Sequence, residues 1–168
     1  MVFGARWRKL ILTVHVVSSV GFLGGVAGFL ALAIVGATTT DARILPAAYI
    51  GMGIVTWDVI VPLAAISLLI GMVQSLGTPW GLFRYYWVII KEVLTLIAFA
   101  VLMLRTGTVD ALSRAALSGI DLGAMQQERI SMIVHGAGGL AVLLVVTVLS
   151  VYKPRGMTRY GAAAIGAN

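Results

Sequence analysis

Residues 10–35 read LILTVHVVSSVGFLGGVAGFLALAIV, 26 positions without a charge. As a helix this stretch is ~39 Å long. The hydrocarbon core of a bilayer is ~30 Å thick. Signal-peptide apolar regions run to roughly 7–15 residues. The basic start at Arg6, Arg8 and Lys9 and the triplet Val35-Gly36-Ala37 resemble a signal peptide, but the length of the run suggests an uncleaved first span instead.

Three more apolar runs follow, at about 47–75, 86–104 and 130–152. The second is interrupted by Asp58 and Pro62, and the third carries Lys91 and Glu92 near its start. The whole chain agrees with this reading. Of its 168 residues 60% are hydrophobic and 11% charged, and its mean hydropathy is +1.04. Soluble domains run to ~45–50% apolar and ~25% charged, and disordered chains need the opposite bias. The predicted fold class is all-α: a single polytopic domain, a four-transmembrane-helix bundle over 1–168 with an outer loop at 105–129.

The basic residues set the expected orientation. Eight lie on one side: Arg6, Arg8, Lys9, Arg84, Lys91, Lys153, Arg155 and Arg159. Four lie on the other: Arg43, Arg105, Arg114 and Arg129. Both termini are thus predicted to be cytoplasmic, in the bacterial inner membrane. The net charge of +6 reflects topology and not a nucleic-acid partner; the bilayer is the expected partner. The absence of cysteine excludes disulfides, thiolate metal sites and covalent haem attachment.

The connections carry local signals. Thr78 is placed to cap a helix that Pro79 begins. Trp80, Tyr85, Tyr86 and Trp87 read as interfacial anchors. Val109, Leu112, Ala116 and Ile120 have helical spacing, which suggests a short helix on the outer surface. Asp121 is a candidate cap for a helix running into the fourth span. The tail from Gly161 to Asn168 is expected to fray.

Ionisable residues inside spans cost ~2.5–3.5 kcal/mol each at the bilayer centre and mark candidate sites. Helical rise places His15, Lys91 and Glu92 ~8–9 Å from the inner edge. It places Asp58 and His135 ~26–27 Å from it. Two polar layers result, with Glu92 expected beside His15 and Asp58 beside His135.

Glycines accompany both histidines. The pairs 21/25 and 24/28 in the first span suit close helix approach or a homodimer. Gly138 and Gly139 share a face with His135. His15 and His135, with Gly25, Gly138 and Gly139, are therefore candidates for binding haem b. Axial ligands must lie within ~4–5 Å of each other across the iron, so two haems at different depths fit better than one. Met72, Met52 and Met132 are the available thioethers. The two histidines are also the candidate metal ligands. Two alternatives stand beside this reading: a stepped proton or ion path, and contacts that only fix helix register. No nucleophile–base pair suggests hydrolysis; an activity would be membrane redox chemistry.

Trp7-Arg8-Lys9-Leu10 with His15-Val16-Val17-Ser18-Ser19-Val20-Gly21 resembles the opening of a family of uncharacterised bacterial predicted integral membrane proteins. Ser75-Leu76-Gly77-Thr78-Pro79-Trp80-Gly81-Leu82, continuing through Tyr86-Trp87 to Lys91, is similar as well. So is Val148-Leu149-Ser150-Val151-Tyr152-Lys153-Pro154-Arg155-Gly156. The resemblance covers nearly the whole chain and implies a short four-helix inner-membrane protein with no assigned activity. The first span is also loosely similar to copper-resistance D-type membrane domains, which carry a histidine before a glycine-rich stretch.

Overall fold

The structure, a computed structural model, describes residues 3–77 and 81–166. The first helix, α1, spans Ala5–Thr38. The second span is α2 (Ile44–Ile54), a π-helical turn (Val55–Ile60) and α3 (Val61–Gly77). Then come α4 (Tyr86–Leu117), a 3-10 turn (Leu122–Met125), α5 (Gln126–Tyr152) and α6 (Arg159–Gly166). Four helical segments are long and apolar enough to cross a membrane, with mean hydropathies of 2.2–2.3. Among the described residues no strand is present, and the all-α four-helix bundle is the fold.

Each span packs on its two sequence neighbours, and α5 closes the ring against α1. The helices alternate in direction, so the start of α1 and the end of α5 share one end of the bundle, here the termini end. Val17, Leu69, Leu96 and Val148 point outward. An apolar exterior is what a helix bounded by lipid can present, because its backbone is satisfied internally. The close-packed core lies toward the far end. There Phe22, Val26, Phe29 and Ala33 meet Tyr49, Met52, Ile60, Leu112 and Met132.

Small residues set the approach of α1. A Cβ at Gly25 would lie 3.1 Å from Ile60 and 3.3 Å from Val59. One at Gly36 would lie 2.7 Å from the Tyr49 ring. Gly24 and Gly28 instead meet nothing within 4 Å and lie on the exposed face of α1.

The interruption at Asp58 and Pro62 takes the form of the π turn. Proline has no N–H to give the Asp58 carbonyl, and its ring would crowd it. The chain widens instead, and Val61 N–H reaches back five residues to Thr56 O.

The boundaries differ from expectation in one place. Residues 105–117, read as outer loop, continue α4 without a break. Val109, Leu112 and Ala116 share the predicted helical face, but it is buried against the far-end core rather than laid on a membrane surface. Ile120 is exposed beyond the helix end. Trp57 Nε1 donates to Asp110 Oδ1 at 2.8 Å and ties this extension to the π turn.

Asp121 does cap the following 3-10 turn, accepting from Gly123 N–H at 2.8 Å. Lys153 ends α5 with φ 45; Pro154 disfavours a right-handed helical residue before it. The tail beyond, expected to fray from Gly161, is instead docked and helical as far as Gly166. Thr158 N–H donates to Arg84 O at 2.9 Å, Thr158 Oγ1 to Phe83 O at 2.6 Å, and α6 follows. The predicted cap at Thr78-Pro79 and the anchor Trp80 lie outside the described residues, as do Ala167 and Asn168. Of the other predicted anchors, Tyr86 is exposed, whereas Trp87 is buried and faces the bundle interior.

Candidate functional site

Two chambers are stacked along the bundle. The first, toward the termini end, has a volume of about 440 Å³. It lies between α1, α3, α4 and α5, and a cluster of polar side chains interrupts its largely apolar walls. His15, Ser19, Ser67, Gln74, Lys91, Glu92 and Thr95 line it, and Lys153 stands exposed at its rim. The second, of about 240 Å³, is almost wholly apolar and contains His135. Phe22 and Leu143 line both and partition them.

The polar chamber gathers the inner layer predicted from depth. His15 Nδ1 lies 3.1 Å from Ser67 O, one turn before Gly71 on α3. A carbonyl only accepts, so Nδ1 carries the proton and Nε2 stays available. Bare backbone at Gly71 makes room for the ring. A Cβ there would lie 3.0 Å from His15 Cε1 and 3.6 Å from Glu92 Oε1. Glu92 pairs with Lys91 at 3.6 Å and accepts from Ser75 Oγ at 3.1 Å. Lys91 Nζ also stands 5.9 Å from the Trp87 ring. Ser19 and Ser67 hydroxyls are 2.7 Å apart. Gln74 Oε1 is buried and finds no donor among the described residues. A buried acceptor without a partner costs ~1–3 kcal/mol unless water or a ligand satisfies it.

Glu92 is thus close to His15, but Ser67 and not Glu92 orients the ring. Ser67, Gly71 and Ser75 form a stripe at intervals of four that the sequence reading passed over. That spacing, small and polar within an apolar run, was the signal for a helix face lining a chamber.

The outer layer does not assemble. Asp58 is exposed, and its side chain makes no hydrogen bond or ion pair among the described residues. His135 Nδ1 bonds within its own helix, 2.6 Å from Ser131 O and 3.2 Å from Ser131 Oγ. Asp58 therefore does not orient His135. Gly138 and Gly139 do line the chamber beside His135, whereas Gly25 packs on the second span and borders neither chamber.

The ligand sets are correspondingly limited. His15 and His135 line different chambers. Among the described residues no group of three or more His, Asp or Glu could hold a metal ion. Met72 is exposed and does not border the polar chamber, so it is no axial partner for His15. Met52 borders neither chamber, and Met132 lies on the same helix as His135, three residues away. A haem in the polar chamber would have a single protein ligand, with an apolar wall from Leu23, Leu68, Leu143 and Val146.

A further cluster lies at the far end, unpredicted. Arg129 donates to Tyr49 Oη at 3.0 Å and to Gly36 O at 2.8 Å, and reaches Leu122 O at 3.4 Å. It joins α1, α2, the 3-10 turn and α5. Gly36 O is one of the carbonyls that the end of α1 leaves without an intrahelical donor. Every contact is to the protein's own framework, so this is a clasp and not a ligand site.

Comparison with protein-family models, with curated proteins and with solved structures gives no match to this chain.

Proposed function

We propose that this multi-pass protein resides in the bacterial inner membrane with both termini cytoplasmic, and that its polar chamber binds a b-type haem through His15. The observation that carries the reading is the fixing of His15 Nδ1 by Ser67 O within a chamber of about 440 Å³. A hydrogen bond on one ring nitrogen holds the tautomer that offers the other to a metal. Lys91 and Lys153 supply positive charge for the propionates, and the aliphatic wall suits the macrocycle. Such a group supplies one-electron chemistry. The residues of the chain bind it, orient it and exclude bulk water. The orientation rests on the eight-to-four distribution of basic residues.

The test is an optical spectrum of protein purified from haem-replete cells. A Soret band is expected, lost in His15→Ala and kept in His135→Ala. A colourless preparation overturns the proposal.

A second reading is proton exchange between the chamber and cytoplasmic water. It is favoured by the chain Ser75–Glu92–Lys91. It predicts that Glu92→Gln abolishes proton uptake by the reconstituted protein, and unchanged uptake counts against it.

A further inference from the structure

The haem reading makes no use of the apolar chamber. Its walls come from side chains such as Val26, Ile97, Val101 and Val142. Three polar residues interrupt them: Thr56, His135 and Arg105. Thr56 Oγ1 donates to Met52 O at 2.7 Å. His135 Nδ1 is engaged by Ser131 O, which leaves Nε2. Arg105 is exposed and has no carboxylate or hydrogen-bond partner among the described residues. It stands 19 residues along α4 from Tyr86, ~28 Å by helical rise. That is headgroup level for a hydrocarbon core ~30 Å thick.

Two glycines enlarge this chamber without serving helix packing. A Cβ at Gly138 would meet nothing within 4 Å, and one at Gly139 only Val26 at 3.8 Å. Gly136, one turn away, is different: its Cβ would press on Phe29 at 3.3 Å. An apolar cavity stays dry or takes an apolar guest. The space, about 240 Å³, is a cleft between α4 and α5 that opens outward where Ile97, Val101 and Val134 are exposed, so an acyl chain can enter it from the lipid side.

We infer that the apolar chamber is a binding site for a long-chain monoacyl carboxylate. The tail occupies the space beside Gly138 and Gly139, and Arg105 holds the carboxylate at the membrane surface. Charge complementarity selects this occupant. A guanidinium engages a carboxylate through paired N–H donors, and a neutral chain would leave it unpartnered.

The experiment titrates the full-length protein in detergent with cis-parinaric acid, read by fluorescence, and with the corresponding alcohol. Saturable binding of the acid is expected, tighter than that of the alcohol. Arg105→Gln should weaken the acid by about tenfold, the scale of one charge-assisted contact, and leave the alcohol unchanged. Gly138→Leu should abolish binding of both by filling the chamber. Val101→Phe, on the facing helix, tests the same point if Gly138→Leu does not fold. Equal binding of acid and alcohol, an unaffected Arg105→Gln, or saturable binding that survives a folded chamber-filling variant each overturns the inference. Because His15 takes no part, its variants leave this binding unchanged whatever the outcome of the spectrum.

Discussion

His15 and Gly71 touch so closely that a methyl group at Gly71 would stand 3.0 Å from His15 Cε1. The carbonyl that holds the same ring belongs to Ser67, one turn earlier on α3. One helix face therefore both grips the imidazole and makes room for it. Gly71→Val should displace the ring and destabilise the bundle by about 1–3 kcal/mol, the scale of overpacking. Gly28→Ala, with nothing within 4 Å, should change stability by less than about 0.5 kcal/mol. Thermal unfolding in detergent by circular dichroism checks both. An unchanged midpoint for Gly71→Val would mean that the ring is free to move.

The Arg129 clasp makes a second prediction. Arg129→Ala leaves Gly36 O and Tyr49 Oη without their donor, which should cost about 2–4 kcal/mol. Arg129→Lys should recover little, since one ammonium cannot reproduce a fork reaching divergent acceptors. Tyr49→Phe removes one arm and should cost about 1 kcal/mol. Combined with Arg129→Ala it should add almost nothing, because the interaction is already lost. Additive losses in that double-mutant cycle would show that the two residues act separately.

Depth along the normal was legible because it needs only residue counting and a fixed helical rise. That arithmetic brought His15, Lys91 and Glu92 to one level, and the structure places all three on one chamber. Direction around the helix axis was not legible in the same way. Asp58 and His135 were matched in level, yet the π turn shifts the helical phase ahead of Pro62 and Asp58 faces outward. Span ends were also set by hydropathy, which falls at Arg105. The helix continues because backbone hydrogen bonding is indifferent to that fall and Leu112 finds a packed core.

Asp58 is accordingly not a relay group. Asp58→Asn should leave stability within about 0.5 kcal/mol, as for surface positions without partners. It should also leave any proton uptake unchanged. The measurement is uptake by proteoliposomes under an imposed gradient, compared with Glu92→Gln. Loss of uptake in Asp58→Asn alone would restore the stepped path.

Orientation gives a prediction independent of any ligand. A reporter enzyme active only in the cytoplasm, fused after Asn168, should be active. The same reporter inserted at Gly119, in the turn after α4, should be silent. Under the proposed orientation, Lys153, Arg155 and Arg159 would keep the tail on the cytoplasmic side. Changing these three together to Gln should produce a mixed topology, whereas Arg114→Gln should not. A silent tail fusion together with an active Gly119 insertion would invert the assignment.

The extension of α4 decides between a surface helix and a fourth wall of the core. Leu112 is 1% exposed and packs within the cluster that holds Tyr49 and Met52. On a membrane surface, Leu112→Ala would cost little beyond one lost apolar contact. In a close-packed cluster it opens a cavity, and the expected loss is about 2–4 kcal/mol. Leu117, 67% exposed near the end of the same helix, provides the control; Leu117→Ala should fall within about 0.5 kcal/mol. Equal effects at the two positions would mean that residues 105–117 lie outside the core. A large difference would mean that the bundle is anchored at its far end by a segment whose hydropathy does not mark it as a span.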